Sequence, residues 1–572
     1  METRTDGRVT KNGYGVFHLG WLAEQHPEWA EAILLELEII RIGIREAHGQ
    51  PLRFLIWAGM GGSAEDKSMY QAAGLLKKGP RTYVLDSTDP AKLKAILADM
   101  VARSRGSCSL ALQSTLVVGM AMGMTSYEPV VNLIKLAALY DRHGIDSRAN
   151  FFYMTLPGSL LDQFAKGRGY RRIELQLDGG NSTAGRHSGP LTRGSLYPLG
   201  LAGVDLSEWL RGAALSESEV AQAFRLAAFL HQQGLAGRDK VALLLPKDLC
   251  AAGVWTKQNF EESLGKSEDL GLKIIIGEKA RLADFRPPKD PFQDRVFLAV
   301  QNRRAMVDKS KLNAVKRSYP TAVVSLDETA PLSRYMQFMH YTVFGLGYLR
   351  EMNFVTQPSV ELYKAITNPL AKEAEKAGGL EKTGEWLSFR NSPRQTKWRG
   401  GVVFHYDRLP ATYVPVGASA AEQYAALLSQ ICVARTIEYG ELTFFGDTRY
   451  AGPGQKMRRV LDRAAERVFN AGLKMPADVY EGPAMNHSYH EMIIGHGRCY
   501  STVLLAERAE RITEAGYTAD YHRAQFLATQ MALQTRGRLV VALTVKDLEE
   551  PSLRALEEFF DEVARWLKAK LR

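Results

Sequence analysis

Residues 52–63 read LRFLIWAGMGGS. The first seven form a nearly unbroken apolar run, strand-sized and rich in bulky side chains, so they read as a strand buried on both faces. Three glycines and a serine follow within five residues. A glycine-rich turn directly after a buried strand leads into a helix in an α/β unit, and its backbone N–H groups can approach an anion at the helix N-terminus. The same turn can also be no more than a tight connection. Upstream, residues 28–48 place Ile33, Leu34, Leu37, Ile40 and Ile44 at helical spacing. Downstream, strand-like runs at 81–86, 115–120, 150–156 and 172–178 alternate with longer amphipathic stretches. A second set begins at 240–246 (KVALLLP) and continues at 272–278, 295–301 and 321–327. Strands separated by helices predict parallel sheets.

The fold class read from this alternation is α/β: two doubly wound parallel-sheet domains and a smaller C-terminal α+β unit. The turn-rich GLAGRD at 234–239 ends a helical stretch and marks one boundary. The polar, basic, glycine-bearing stretch 375–401 reads as a loop or linker. The expected units are an N-terminal helical arm (1–49), a first domain (50–233), a second (234–400) and the C-terminal unit (401–572). The last closes with an amphipathic helix at 551–571, in which Leu556, Phe559, Phe560, Val563 and Leu567 form a packing stripe.

With 572 residues, 45% of them hydrophobic, the chain can bury large cores without metal or disulfide staples. Charged residues at 24%, with 50 Gly and 23 Pro, exclude collagen, coiled coil and wholesale disorder. Cys108, Cys250, Cys432 and Cys499 are far apart with no CxxC pair, which argues against a disulfide framework or a cysteine zinc ribbon. No apolar run reaches the ~18 residues a membrane helix needs. The opening METRTDGRVTKNG has no apolar signal core. A cytoplasmic protein without a membrane partner is therefore expected. The net charge of +10 is dispersed, with no zinc finger and no RNP-type aromatic motif, so no nucleic-acid partner is expected.

Five further motifs carry possible chemistry. Thr125-Ser126-Tyr127-Glu128-Pro129 follows a strand and offers hydroxyls to an anion, or simply caps a helix. In GRHSGPLTRG (185–194), Arg186 sits in a glycine-bounded loop and can reach a developing oxyanion, or is a surface arginine. ESLGK (262–266) puts Glu262 beside a turn. NFVTQPSVELYK (353–364) ends a helical stretch on Lys364, where a lysine also complements the helix dipole. NHSYHEMIIGHG (486–497) holds His487, His490 and His496, but not at HExxH spacing, so no metal is expected.

In this order the motifs resemble the phosphoglucose (glucose-6-phosphate) isomerase family, built on two sugar isomerase (SIS) domains. WAGMGGSA resembles that family's first glycine loop. GRHS…G followed by LAGVD resembles its first signature, usually GGR, an aromatic, then Ser. EESLGKSEDLG resembles the ESxGK segment, and NFVTQPSVELYK the second signature, usually NPFDQPGVExxK. With NHSYHEMI placed after the lysine, the order is most similar to the isomerase portion of transaldolase–isomerase fusions, over about residues 50–505. The resemblance implies interconversion of glucose 6-phosphate and fructose 6-phosphate through an enediol. Glu262 is then the base that moves a proton between C1 and C2, and Arg186 stabilises the enediolate. Lys364 and His487 assist ring opening; His490 or His496 could replace His487. Gly61, Gly62, Ser63, Thr125 and Ser126 hold the phosphate, and Gln357 contacts the sugar. The resemblance further implies no cofactor, a homodimer and a place in glycolysis and gluconeogenesis.

The departures bear on the substrate. The family's second phosphate loop usually reads Ser-Lys-Ser/Thr-x-Thr-Thr-x-Glu; here it is Ala121-Met122-Gly123-Met124-Thr125-Ser126-Tyr127-Glu128. The missing lysine removes a charge-assisted contact worth about 1.5–3 kcal/mol, which backbone N–H groups or another Lys or Arg could replace. Two alternatives follow: an isomerase of another anionic or neutral sugar, or a non-catalytic sugar-phosphate sensor. Smaller departures are Ala184, His187, Thr356, Ser359 and Asn259, the last with Gln258 adjacent.

Overall fold

The computed structural model describes residues 2–5, 8–11, 16–178, 189–277, 294–327, 332–355, 357–434 and 436–570. The run at 52–58 forms the strand Phe54–Ala58, buried at every position. It lies inside a five-stranded parallel sheet, in the order Arg81–Leu85, Phe54–Ala58, Thr115–Ala121, Phe151–Thr155, Arg171–Arg172. The expected strand at 172–178 is reduced to the two arginines and an isolated bridge from Gln176 to Thr192. Its alternating charges suit an exposed sheet edge, not a core strand.

The helix Glu28–His48 buries Ala30, Ile33, Leu37, Ile40 and Ile44 and ends at Gly49, whose φ of 67° returns its N–H to the Arg45 carbonyl. Ahead of it, Glu2–Thr5 and Arg8–Lys11 pair antiparallel, so the first 49 residues hold a hairpin as well as helices.

A second parallel sheet has the order Thr321–Ser325, Arg295–Gln301, Lys240–Leu244, Lys273–Ile276. The third is the widest. Leu539–Val545, Cys499–Ala506, Tyr439–Phe445 and Ala477–Gly482 run parallel, and Val403–His405 and Gln395–Lys397 add antiparallel strands at one side. The 375–401 stretch is thus no linker. It contains the helix Gly384–Arg390 and an edge strand, anchored by buried Leu380, Trp386 and Phe389 amid its polar residues.

Buried ion pairs join the units. Lys92 of the first unit bonds Asp86 and, across the junction, Glu481 of the third. Lys257 and Lys273 of the second reach Asp478 of the third at 2.8 and 2.5 Å. Such pairs add little net stability, but breaking one leaves a buried charge unmatched, which penalises other arrangements.

Among the parallel strands of each of these three sheets, the first in the chain lies between the second and the third. The chain therefore leaves the first and third strands in opposite directions, and a crevice opens outside their carboxyl ends. In the first sheet that crevice is bounded by residues 59–63 and 122–127.

Candidate active site

The glycine turn is shaped by a close neighbour. Gly61 has a φ of 52°, and a Cβ there would lie 2.8 Å from the His487 Cβ. Only glycine lets the turn touch the segment Ala484–His487. The Trp57 indole N–H donates to the Ser63 carbonyl at 2.8 Å and pins the turn to its own strand. Gly61→Ala is expected to destabilise the protein by about 2 kcal/mol in urea unfolding, since it adds both backbone strain and a clash.

The second loop meets a lysine from another unit. A Cβ on Gly123 would lie 2.7 Å from Ser126 Oγ and 3.3 Å from Lys364 Nζ. Lys364 projects from the helix Pro358–Ala377, which has Gln357 at its N-cap and proline at its first position, where the absent N–H costs nothing. The amides of Ser359 and Val360 donate to Glu491 Oε2 at 3.1 and 3.4 Å. Burial pushes the Glu491 carboxyl up to about 7, against Lys266 and these two amides. Lys364 Nζ lies 2.9 Å from Glu361 Oε1, and the Thr125 hydroxyl donates to Glu361 Oε2 at 3.2 Å.

Glu262 is presented by the helix Ala252–Leu264, buried throughout its second half. The Gln258 amide, one turn earlier, donates to Glu262 Oε2. The glycine that ends ESLG has a packing reason. A Cβ on Gly265 would fall 2.4 Å from the Met492 Cα, and one on Gly495 would fall 2.2 Å from the Gly265 carbonyl oxygen. This glycine-to-glycine crossing docks the histidine segment onto the glutamate helix.

His487 Nε2 donates to Glu128 Oε1 at 2.8 Å, and the Gln525 amide donates to the same oxygen at 3.2 Å. Glu128 is 1% exposed and opens the helix Glu128–Arg142, where the helix dipole favours a negative charge. Burial opposes its charge, but His487, Lys364 and its own backbone amide outweigh burial and hold the carboxyl at about 2. A carboxyl lowered from its ordinary 4.5 to about 2 stabilises the fold above pH 4.5, and that stability is lost as pH falls toward 2. The linked free energy is roughly 3 kcal/mol. The stability gap between the wild type and Glu128→Gln, measured by urea unfolding, should therefore narrow steadily as pH falls below 4.5.

These segments enclose a cavity of about 410 Å³ lined by Gly62, Ser63, Thr125, Ser126, Glu262, Gln357, Lys364 and His487. Gly61 stands directly behind His487. Arg186 lies outside the described residues, as do Thr356 and His187. The other two histidines face elsewhere. His490 lies 3.7 Å from Glu441, and His496 pairs with Asp239 at 3.0 Å, both buried. Among the described residues, Asp239, Glu438 and His496 form one cluster with metal-ligand spacing, but Lys240 already bonds both of its carboxylates. A larger cavity of about 650 Å³ at the third sheet contains none of the motif residues.

No protein-family model matches the chain. It is 29% identical over 226 residues to a glucose-6-phosphate isomerase of Synechococcus sp. (strain JA-3-3Ab), a match covering 38% of this chain and 40% of that protein. With the glucose-6-phosphate isomerase of Thermosynechococcus vestitus the figures are 29% over 228 residues, 38% and 41%. Over these segments the chain is similar to glucose-6-phosphate isomerases. The matches span less than half the length of these relatives. Among solved structures, a hypothetical protein from Thermus thermophilus overlaps 63% of this chain and 91% of its own, at 22% identity and a TM-score of 0.47. A glucose-6-phosphate isomerase from Chlamydia trachomatis overlaps 68% and 81%, at 18% identity and 0.45.

Beside the residues to which the sequence gives a role, four contact residues have none there: Glu128, Gln258, Glu361 and Gln525. Gln258 and Glu361 were within reach, since each lies one helical turn from a motif residue. The Glu128–His487 and Glu128–Gln525 contacts join positions 359 and 397 residues apart, and no local pattern signals them.

Proposed function

We propose that the chain is a sugar-phosphate isomerase that interconverts glucose 6-phosphate and fructose 6-phosphate through an enediol. The observation that supports this reading most is one shared cavity. A buried carboxylate, Glu262, and a carboxylate-braced histidine, His487, line it together with the hydroxyls of Ser63, Thr125 and Ser126 and the ammonium of Lys364. Hydroxyls and a cation suit a phosphate, and a base with a separate proton donor suits the sugar end.

In the forward direction His487, held by Glu128, moves the proton that opens the sugar ring. Glu262, steadied by Gln258, removes the C2 proton of the open-chain aldose. The C–H electron pair becomes the C1–C2 double bond and the C1 carbonyl oxygen takes up a proton, giving the enediol. Glu262 returns its proton to C1, the C2 hydroxyl loses its own, and the ketose forms. Oxidation at C2 balances reduction at C1, so the redox change stays inside the sugar. Arg186 belongs to this reading as the enediolate's partner, on the sequence resemblance alone.

The test is a coupled assay with fructose 6-phosphate, reading glucose 6-phosphate through its dehydrogenase. Steady turnover supports the proposal. Met122 favours a second reading, an isomerase of a different sugar. Absent turnover, with thermal stabilisation by another phosphorylated or sulfonated sugar, would favour that reading instead.

A further inference from the structure

The charge balance at the hydroxyl end of the cavity is self-contained. Among the described lining residues, Lys364 is the one lysine or arginine, and Met122 stands where the resembled loop carries its lysine. That ammonium is already engaged by a carboxylate of the same helix. Glu361 offers one oxygen to Lys364 Nζ at 2.9 Å and the other to the Thr125 hydroxyl at 3.2 Å. A carboxylate that bridges an ammonium and a loop hydroxyl uses the donors a phosphate's oxygens would use.

The two partners are not equally fixed. The Lys364 side chain is 8% exposed and held against Gly123, whereas that of Glu361 is 58% exposed. Ion pairs one helical turn apart with an exposed member are weak, so the carboxylate can swing outward while the ammonium stays.

We propose that Glu361 is a built-in occupant of the anion position, holding Lys364 and Thr125 until a phosphate dianion displaces it and takes Lys364 as its counter-charge. This deepens the isomerase reading by naming what recognises the substrate's phosphate. It gives Lys364 the work that the second loop's lysine would do and leaves ring opening to His487. It also makes Glu361 a determinant of specificity, because a neutral sugar cannot compete with a carboxylate for an ammonium. Glu361 touches no reacting atom in this scheme; it acts through Lys364 and Thr125.

The test uses inorganic phosphate as the probe, titrated calorimetrically into the full chain at pH 8, with KM for fructose 6-phosphate measured in parallel. Glu361→Gln, at an exposed position, keeps the side chain's size and removes its charge. It should bind phosphate about tenfold tighter than the wild type and lower KM correspondingly. Lys364→Met should weaken phosphate binding at least about tenfold, and the double variant should behave like Lys364→Met. Unchanged or weaker phosphate binding by Glu361→Gln would overturn the proposal. Failure of the isomerase reading looks different: no turnover of any sugar phosphate, with phosphate still binding tighter in Glu361→Gln. The converse, normal turnover with KM and phosphate affinity unmoved by Glu361→Gln, removes the counter-ion exchange and leaves the isomerase.

Discussion

Glu262→Gln should lower turnover of fructose 6-phosphate about a thousandfold while leaving its binding within about twofold. A positioned general base contributes about 10²–10⁴ to rate, and an amide of the same shape cannot accept the proton. Binding should survive because the phosphate end of the cavity, with Ser63, Thr125, Ser126 and Lys364, is untouched. Folding should survive because the Gln258 amide can still donate to the remaining carbonyl oxygen, so the buried position keeps a partner. The measurements are steady-state kinetics and thermal unfolding with and without sugar phosphate. Turnover within about tenfold of wild type would remove Glu262 as the base.

His487→Ala should lower turnover of the six-carbon substrates about a hundredfold, through ring opening and not through proton transfer. The distinction can be measured. A four-carbon aldose 4-phosphate cannot close a ring through its phosphorylated oxygen, so its isomerisation bypasses the step assigned to His487. The variant should lose little with that substrate and much with fructose 6-phosphate. Equal losses on both would mean that His487 supports the cavity's shape, consistent with its contact to Gly61, and does not open the ring. Glu128 would then be a structural partner only.

Much of the scaffold is legible in the sequence because its signals are local. Phe54–Ala58 is apolar at every position because helices cover both faces of a parallel sheet, and the helix Glu28–His48 stops where Gly49 can turn left-handed. The third sheet is harder to read. Its strands bury Glu441, Thr443, Ser501 and Thr502, which interrupt the apolar runs that mark a core strand. The 375–401 stretch misleads for a related reason: three buried apolar residues anchor it, too few to outweigh its charge in a composition reading.

At the candidate site, the glycines and hydroxyls stand out because turns demand particular residue types. Gly61 and Gly265 are required by close approach to residues 487 and 492, but the sequence alone states only that a glycine is present. Whether a lysine could compensate for Met122 depended on where the 358–377 helix packs. That is set by Glu491 at its first amides and by Tyr363, Leu370 and Ala374, which pack into one core with the helix Asp520–Thr535, long-range contacts that have no local sequence pattern.

The central claim is that this cavity moves a proton between C1 and C2 of a sugar phosphate on Glu262. The most direct test is isomerisation of fructose 6-phosphate in deuterated water, with the product analysed by NMR. The account predicts glucose 6-phosphate carrying deuterium at C2 in at least part of the product, with product and label both lost in Glu262→Gln. Unlabelled product at every extent of conversion, or labelled product formed equally well by Glu262→Gln, would contradict it.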